Sequence, residues 1–141
     1  MNQLTLPGAL DSLALIRDYV ESAALRAGLD KKQIYRLTLA VDEIATNSIV
    51  HGYAEAGLTG EVTIGAHLQP SALTVYLEDR AAPYNPLRSN LPSNLDAALH
   101  EREIGGLGVF LALKNVDEFR YEYENGQNRN IFVMKLNEKS E

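Results

Sequence analysis

Apolar positions recur along the chain at two periods, and the change from one to the other outlines its elements. Leu13, Ile16, Val20, Ala23, Ala24 and Ala27 follow the three-and-four spacing of an amphipathic helix, with Gly28 as its natural stop. Asp30 stands three residues ahead of Gln33, the arrangement of a capping box. It opens a second helix with Ile34, Leu37, Val41, Ile44 and Ala45 as the apolar stripe and Gly52 as the predicted end. Upstream, residues 2–6 predict a short strand closed by Pro7 and Gly8. Beyond the second helix the period shortens to two. Val62, Ile64, Ala66 and Leu68 form one alternating run and Leu73, Val75 and Leu77 another, with Pro70 and Ser71 in the turn of a hairpin. A second hairpin closes the chain: Phe119, Tyr121 and Tyr123, a turn at Asn125-Gly126, then Ile131 and Val133 flanked by Phe132 and Met134.

Between the hairpins the periodicity fails. From residue 81 to 103, Pro83, Pro86 and Pro92 with Asn85, Asn90 and Asn94 predict a long loop, with a short helix at 95–99. Such a stretch inside a compact domain is more often functional than idle. Gly105, Gly106 and Gly108 then precede an apolar run, Val109 to Val116, that predicts a third helix. No repeat or domain boundary interrupts the order strand, two helices, hairpin, loop, helix, hairpin. That order predicts a single α+β domain over 1–141, a two-layer sandwich with a mostly antiparallel mixed sheet and helices on one face.

Composition narrows the classes of function. With 45% apolar residues in 141, a packed core is expected and wholesale disorder is not. A net charge of −6 argues against nucleic acid as the main partner, which would need clustered Lys and Arg. The absence of cysteine removes disulfides and thiolate metal sites, and the three histidines share no ligand spacing. No run approaches the roughly 20 apolar residues of a membrane span, and Met1 to Gly8 lacks the pattern of a signal peptide. A cytoplasmic protein without membrane partners is expected.

Three clusters carry candidate chemistry. Glu43, Asn47 and His51 are four apart on the second helix, so they share one side of it. A carboxylate there can deprotonate a hydroxyl, and a carboxamide oxygen suits Mg²⁺. Asp79-Arg80-Ala81-Ala82-Pro83 follows an apolar strand, where a carboxylate can accept an amino group at a pocket floor and small residues admit a planar ring. Gly105-Gly106-Leu107-Gly108 opens a helix, where backbone N–H groups can approach a phosphate closely. Taken alone, the first reads as a solvated helix face, the second as a strand-ending turn and the third as a flexible loop end. The third is neither a Walker loop nor a Rossmann fingerprint.

Their joint order is far more specific. Asp42 to Tyr53 (with Glu43-x-x-x-Asn47 inside it), Glu78-Asp79 through Pro86, and Gly105 to Leu111 together resemble the GHKL ATPases of the Bergerat fold, the superfamily of gyrase, heat-shock chaperones, histidine kinases and mismatch-repair ATPases. The compact version of that superfamily, with nothing attached at either end, is the one the chain resembles, and it looks like the anti-sigma factor serine/threonine kinases. That resemblance runs from the first helix to the last strand. It implies ATP or ADP with Mg²⁺ as cofactors, Glu43 as the general base, Asn47 as the Mg²⁺ ligand and Asp79 as the acceptor of the adenine amino group. It implies a phosphate cradle at Gly105, Gly106, Leu107 and Gly108, with the loop before them as an ATP lid. Arg102 is implied as a phosphate or partner contact, and His51 as structural. Ala81 stands in the adenine pocket where the family usually has glycine. If that position needs a positive φ, alanine costs on the order of 1 kcal/mol, and its methyl would crowd the nucleotide.

The implied function is a partner switch. The protein would phosphorylate a serine on an anti-anti-sigma-like antagonist, and the freed kinase, a homodimer, would hold a sigma factor or another target. Two alternatives stay open: a nucleotide-dependent interaction module without kinase activity, which Ala81 favours, and the catalytic half of a histidine kinase, disfavoured because no dimerising helix pair precedes the domain.

Overall fold

The computed structural model describes residues 1–88 and 106–137. In chain order these form β1 (Leu4–Pro7), a short 3-10 turn (Leu10–Ser12), α1 (Leu13–Ala27), α2 (Lys31–Asn47) continued by a π-helical turn (Ser48–Ala54), β2 (Glu61–Leu68) and β3 (Ala72–Asp79). A second 3-10 turn (Pro86–Arg88), α3 (Gly106–Leu113), β4 (Glu118–Glu124) and β5 (Gln127–Lys135) complete them. The strands make one sheet in the order β1-β2-β3-β5-β4, every pairing antiparallel. The chain is therefore an α+β two-layer sandwich, as its element order predicts.

Local chemistry sets the boundaries. Gly28 ends α1 at φ 80°, a left-handed cap that glycine adopts without steric cost. The Asp30 carboxylate accepts from the Gln33 backbone N–H and the Gln33 side chain accepts from that of Asp30, so the capping box forms as expected. Asn125 and Gly126 both have positive φ and close the β4–β5 hairpin. One side of the sheet carries Val62, Ile64, Leu73, Val75, Leu77, Phe132 and Met134, which pack in one core with Ile16, Val20, Leu37, Val41, Ile44 and Val109 of the helices. The opposite face holds a smaller cluster of Ala72, Tyr76, Ile131 and Val133.

Three boundaries depart from expectation. The first strand begins at Leu4, where pairing with Ile64 begins. Gly52 does not end the second helix. Instead the backbone widens into the π turn, with Glu55 N–H bonded to Val50 O at 2.9 Å and Leu58 N–H to Tyr53 O at 2.8 Å, both five residues back. The Thr46 hydroxyl donates to the Asp42 carbonyl at 2.7 Å just before the change, a bond of the kind that bends helices. The described part of helix α3 already includes Gly106, ahead of the expected Val109, and ends at Leu113, short of the expected Val116. The short helix expected at 95–99 and most of the long loop lie outside the described residues.

Candidate functional site

The C-terminal half of α2 with its π turn, the loop after β3 and the first residues of β5 enclose a pocket of about 280 Å³, close to the lower size of ligand clefts. Ile44, Asn47, Ser48, His51 and Gly52 line the helix side. Ala82, Pro83, Tyr84 and Pro86 line the loop, and Asn128 and Asn130 the sheet.

Asp79 is the last residue of β3, faces the helix layer, and lies opposite Asn128 in the register. Only 3% of it is exposed. Its Oδ1 accepts from the Ala81 N–H at 3.0 Å and from Asn128 Nδ2 at 2.9 Å. Its Oδ2 is buried and has no partner among the described residues, and the same holds for Asn47 Nδ2 and Asn130 Oδ1 in the pocket wall. Buried polar atoms are nearly always paired, and leaving one bare costs about 1–3 kcal/mol. The only other such atoms among the described residues, Thr38 Oγ1 and Arg129 Nε, are not in the pocket wall. Of the five bare atoms among the described residues, two thus lie in the pocket wall, where a polar ligand could satisfy them, and a third belongs to Asp79, which is bonded to the lining residue Asn128.

Two side chains hold the pocket's rim. Asn128 Nδ2 also reaches the carbonyls of Ala81 and Ala82 at 3.2 and 3.3 Å, while its Oδ1 accepts from the Tyr84 N–H at 3.3 Å and from the Tyr121 hydroxyl. Tyr53, 1% exposed, donates its hydroxyl to the Glu61 carbonyl at 2.7 Å and accepts the Arg80 N–H at 3.0 Å. It thereby ties the π turn to the start of β2 and the end of β3. Gly8 and Gly60 make room for its ring, since a Cβ at either would lie within 3.0 Å of it. The Gly52 carbonyl, freed from the helical ladder, accepts the Ala82 N–H at 3.1 Å.

The first cluster behaves as a stripe only in part. Asn47 lines the pocket, and Glu43 lies one turn before it on α2. Glu43 is half-buried. Burial pushes its carboxyl above the ordinary range, and the adjacent Asp42 charge adds to the effect. The start of α3 comes against it through a glycine: a Cβ on Gly108 would lie 2.6 Å from Glu43 Oε1. His51 is in the π turn, shifted from the Glu43–Asn47 line. It lines the pocket and bonds Glu55 Oε1 through Nδ1 at 2.8 Å. Gly106 and Leu107 open α3, whereas Arg102 and Gly105 lie outside the described residues. No group of three His, Asp or Glu side chains among the described residues could hold a metal alone. A Mg²⁺ at Asn47 would therefore complete its shell with water and ligand oxygens, as this ion commonly does.

Ala81 does not occupy a left-handed backbone conformation, since among the described residues only Asn125 is non-glycine with positive φ. Its methyl group is buried and faces Gly52, whose added Cβ would lie 2.7 Å away. The expected backbone cost is thus not observed, and the missing side chain at Gly52 accommodates the methyl. Gly52→Ala should destabilise the protein by about 1–3 kcal/mol through overpacking. Ala81→Gly in the same chain should restore most of the loss. Thermal melts of both single variants and the double variant check this, and a simple sum of the single effects would refute the contact.

Sequence patterning missed Asn128, Asn130, Tyr53 and Tyr121. A signal existed for the asparagines: both share strand parity with Phe132 and Met134, the residues that face the helices.

Residues 6–136 match the family of histidine kinase-like ATPase domains. The chain belongs to that family. Among curated proteins, it is 28% identical over 139 residues to the serine-protein kinase RsbW of Listeria innocua, covering 96% of this chain and 87% of that one. It is 27% identical over the same shares to the Listeria monocytogenes protein of that name. It is 26% identical over 127 residues to the one from Staphylococcus aureus strain MRSA252, covering 88% and 80%. The resemblance to the compact serine kinases is thus found across nearly the whole chain. No helix among the described residues is long and apolar enough to cross a membrane.

Proposed function

We propose that this domain binds ATP with Mg²⁺ and phosphorylates a serine on a small antagonist protein, as the catalytic member of a partner switch. The observation that carries this reading is the bare, buried Oδ2 of Asp79 beside the pocket. Among the described residues it is an acceptor without a donor, and the 6-amino group of adenine supplies one. Asn47 is the Mg²⁺ ligand and the first-turn N–H groups of Gly106, Leu107 and Gly108 receive phosphate oxygens. From the resemblance, Gly105 is assigned to the phosphate cradle and Arg102 to a phosphate or partner contact; both lie outside the described residues. Bound ATP with Mg²⁺ supplies the γ-phosphoryl group and neutralises charge as it transfers.

Glu43 accepts the proton of the serine hydroxyl as the oxygen–phosphorus bond forms and the bond to ADP breaks. Its raised carboxyl suits that task, because a base with a pKa nearer the working pH is the stronger acceptor. The new phosphate adds about −1.5 to −2 charge to the antagonist. With a net charge of −6, the kinase repels that product and is released to hold its second target, assigned from the resemblance as a sigma factor. A cytoplasmic homodimer is part of the same assignment.

Incubation with γ-labelled ATP, Mg²⁺ and the candidate antagonist tests the proposal. Label on serine is the expected result. Nucleotide binding without transfer to any candidate would favour the interaction module instead.

Gly108 offers a separate check. A Cβ there would displace the Glu43 carboxylate, which is a mobile side-chain end rather than backbone. Gly108→Ala should therefore leave the melting temperature nearly unchanged and lower transfer by up to about 10²-fold, the scale of a misplaced reacting group. Unaltered transfer would separate Gly108 and Glu43 from the reaction.

A further inference from the structure

Asn128 makes more hydrogen bonds than any function yet assigned to it requires, and their directions are not interchangeable. A carboxamide can take two orientations related by a half-turn, with amide and oxygen exchanged. Here the Nδ2 side meets only acceptors: Asp79 Oδ1 at 2.9 Å and the carbonyls of Ala81 and Ala82 at 3.2 and 3.3 Å. On the other side Oδ1 meets the Tyr84 N–H, a donor that cannot accept, at 3.3 Å, and the Tyr121 hydroxyl. A half-turn would set the amide oxygen against a carboxylate and two carbonyls.

Tyr121 is the adjustable member of this set, since a hydroxyl can donate or accept. By donating to Oδ1 it commits the amide hydrogens to Asp79. Burial pushes its phenol above the usual range, so the hydroxyl keeps the proton it donates. Asp79 has two oxygens, and this chain of bonds determines which is occupied. Oδ1 is held by Asn128 and Ala81, and Oδ2 has no partner among the described residues.

We infer that Asn128 and Tyr121 are positioning residues for base selection: Tyr121 fixes the Asn128 amide, which holds one oxygen of Asp79 and presents the other to an amino group of the bound base. This rests on the nucleotide reading above. Neither residue contacts the base's amino group. Both act through Asp79, favouring a base with a 6-amino donor over one with a 6-oxo acceptor.

The test measures ADP and GDP affinity for the full chain by calorimetry. The wild type is expected to prefer ADP. Tyr121→Phe removes one hydroxyl and should weaken ADP by about 5- to 10-fold, the scale of one net hydrogen bond, with GDP unchanged, so that the preference narrows. Asn128→Asp sets a second carboxylate against Asp79 and should weaken ADP more. Adding Tyr121→Phe to it should then cost nothing further, because the bond it removes no longer orients an amide. Unchanged ADP affinity in Tyr121→Phe would overturn the inference. So would equal loss of ADP and GDP, which would mean general loosening of the pocket. A wild type that binds neither nucleotide would overturn the nucleotide reading itself. As a measurement free of substitutions, the Asn128 side-chain amide protons should exchange slowly with deuterium in the unmodified protein, and rapid exchange would also refute the arrangement.

Discussion

Glu43→Gln is expected to give a protein that binds nucleotide as before, melts higher at neutral pH, and transfers phosphate at least about 10²-fold more slowly. Glutamine keeps the shape and a hydrogen-bonding oxygen but cannot take a proton from serine. The stability change follows from the raised carboxyl. A carboxyl whose folded pKa lies above its ordinary value of 4.5 binds its proton more tightly in the folded chain than in the unfolded one. Its contribution to stability is fully present below that ordinary value and is lost as pH rises through the folded value. At pH 7 ionised Glu43 therefore costs stability, and glutamine removes the cost. The melting difference should shrink as pH falls and vanish below about pH 4, where the wild-type carboxyl is protonated in both states. Paired measurements decide the matter: phosphoryl transfer to the antagonist, and melting temperature across pH 4 to 8. Full transfer by the variant would exclude Glu43 as the base. A melting gap that stays constant with pH would show that its burial carries no linked protonation.

The parts of this protein legible in sequence are those governed by local rules. The Asp30–Gln33 capping box, the Gly28 cap and the Asn125-Gly126 turn each depend on a few neighbouring residues, and each forms as read. Strand alternation in β2 and β3 is legible because one parity packs against helices. β5 is harder, because both of its faces are apolar near the end: Phe132 and Met134 meet the helices while Ile131 and Val133 meet the opposite cluster. With no clean alternation, the parity that turns Asn128 and Asn130 toward the pocket is hidden.

The π turn escapes for a different reason. Its hydrogen bonds depend on the chain that Tyr53 and Gly52 meet at the end of β3, some 27 residues away, which no helical window contains. The same long-range contact explains Ala81. Judged against a pattern that has glycine there, alanine looks costly. Judged against Gly52, its methyl fills space that the partner leaves open. In the folded chain Asn47 lines the pocket, Asp79 is bonded to Asn128 of the same pocket wall, and Glu43 lies against the start of α3.

Asp79→Asn should reverse the base preference of the site. The substitution preserves shape, and the amide oxygen can stand where Oδ1 stands, keeping the bonds from Ala81 and Asn128. The amide nitrogen then takes the place of Oδ2, so a donor faces a donor when adenine binds. A charge-assisted bond contributes about 1.5–3 kcal/mol net, and its loss together with an unpaired amide predicts a fall in ADP affinity of about 10²-fold. A 6-oxo base such as that of IDP presents an acceptor at the same place, so IDP should bind the variant better than it binds the wild type. Folding should survive, because Asp79 is buried without an ion pair among the described residues and the variant removes a charge from that setting. Calorimetry with ADP and IDP on both proteins, alongside a melt without nucleotide, measures all three effects. If ADP and IDP weaken together while the melt is unchanged, Asp79 supports the pocket without reading the base. If neither nucleotide responds to the substitution, the adenine end lies elsewhere, and the bare Oδ2 needs another donor.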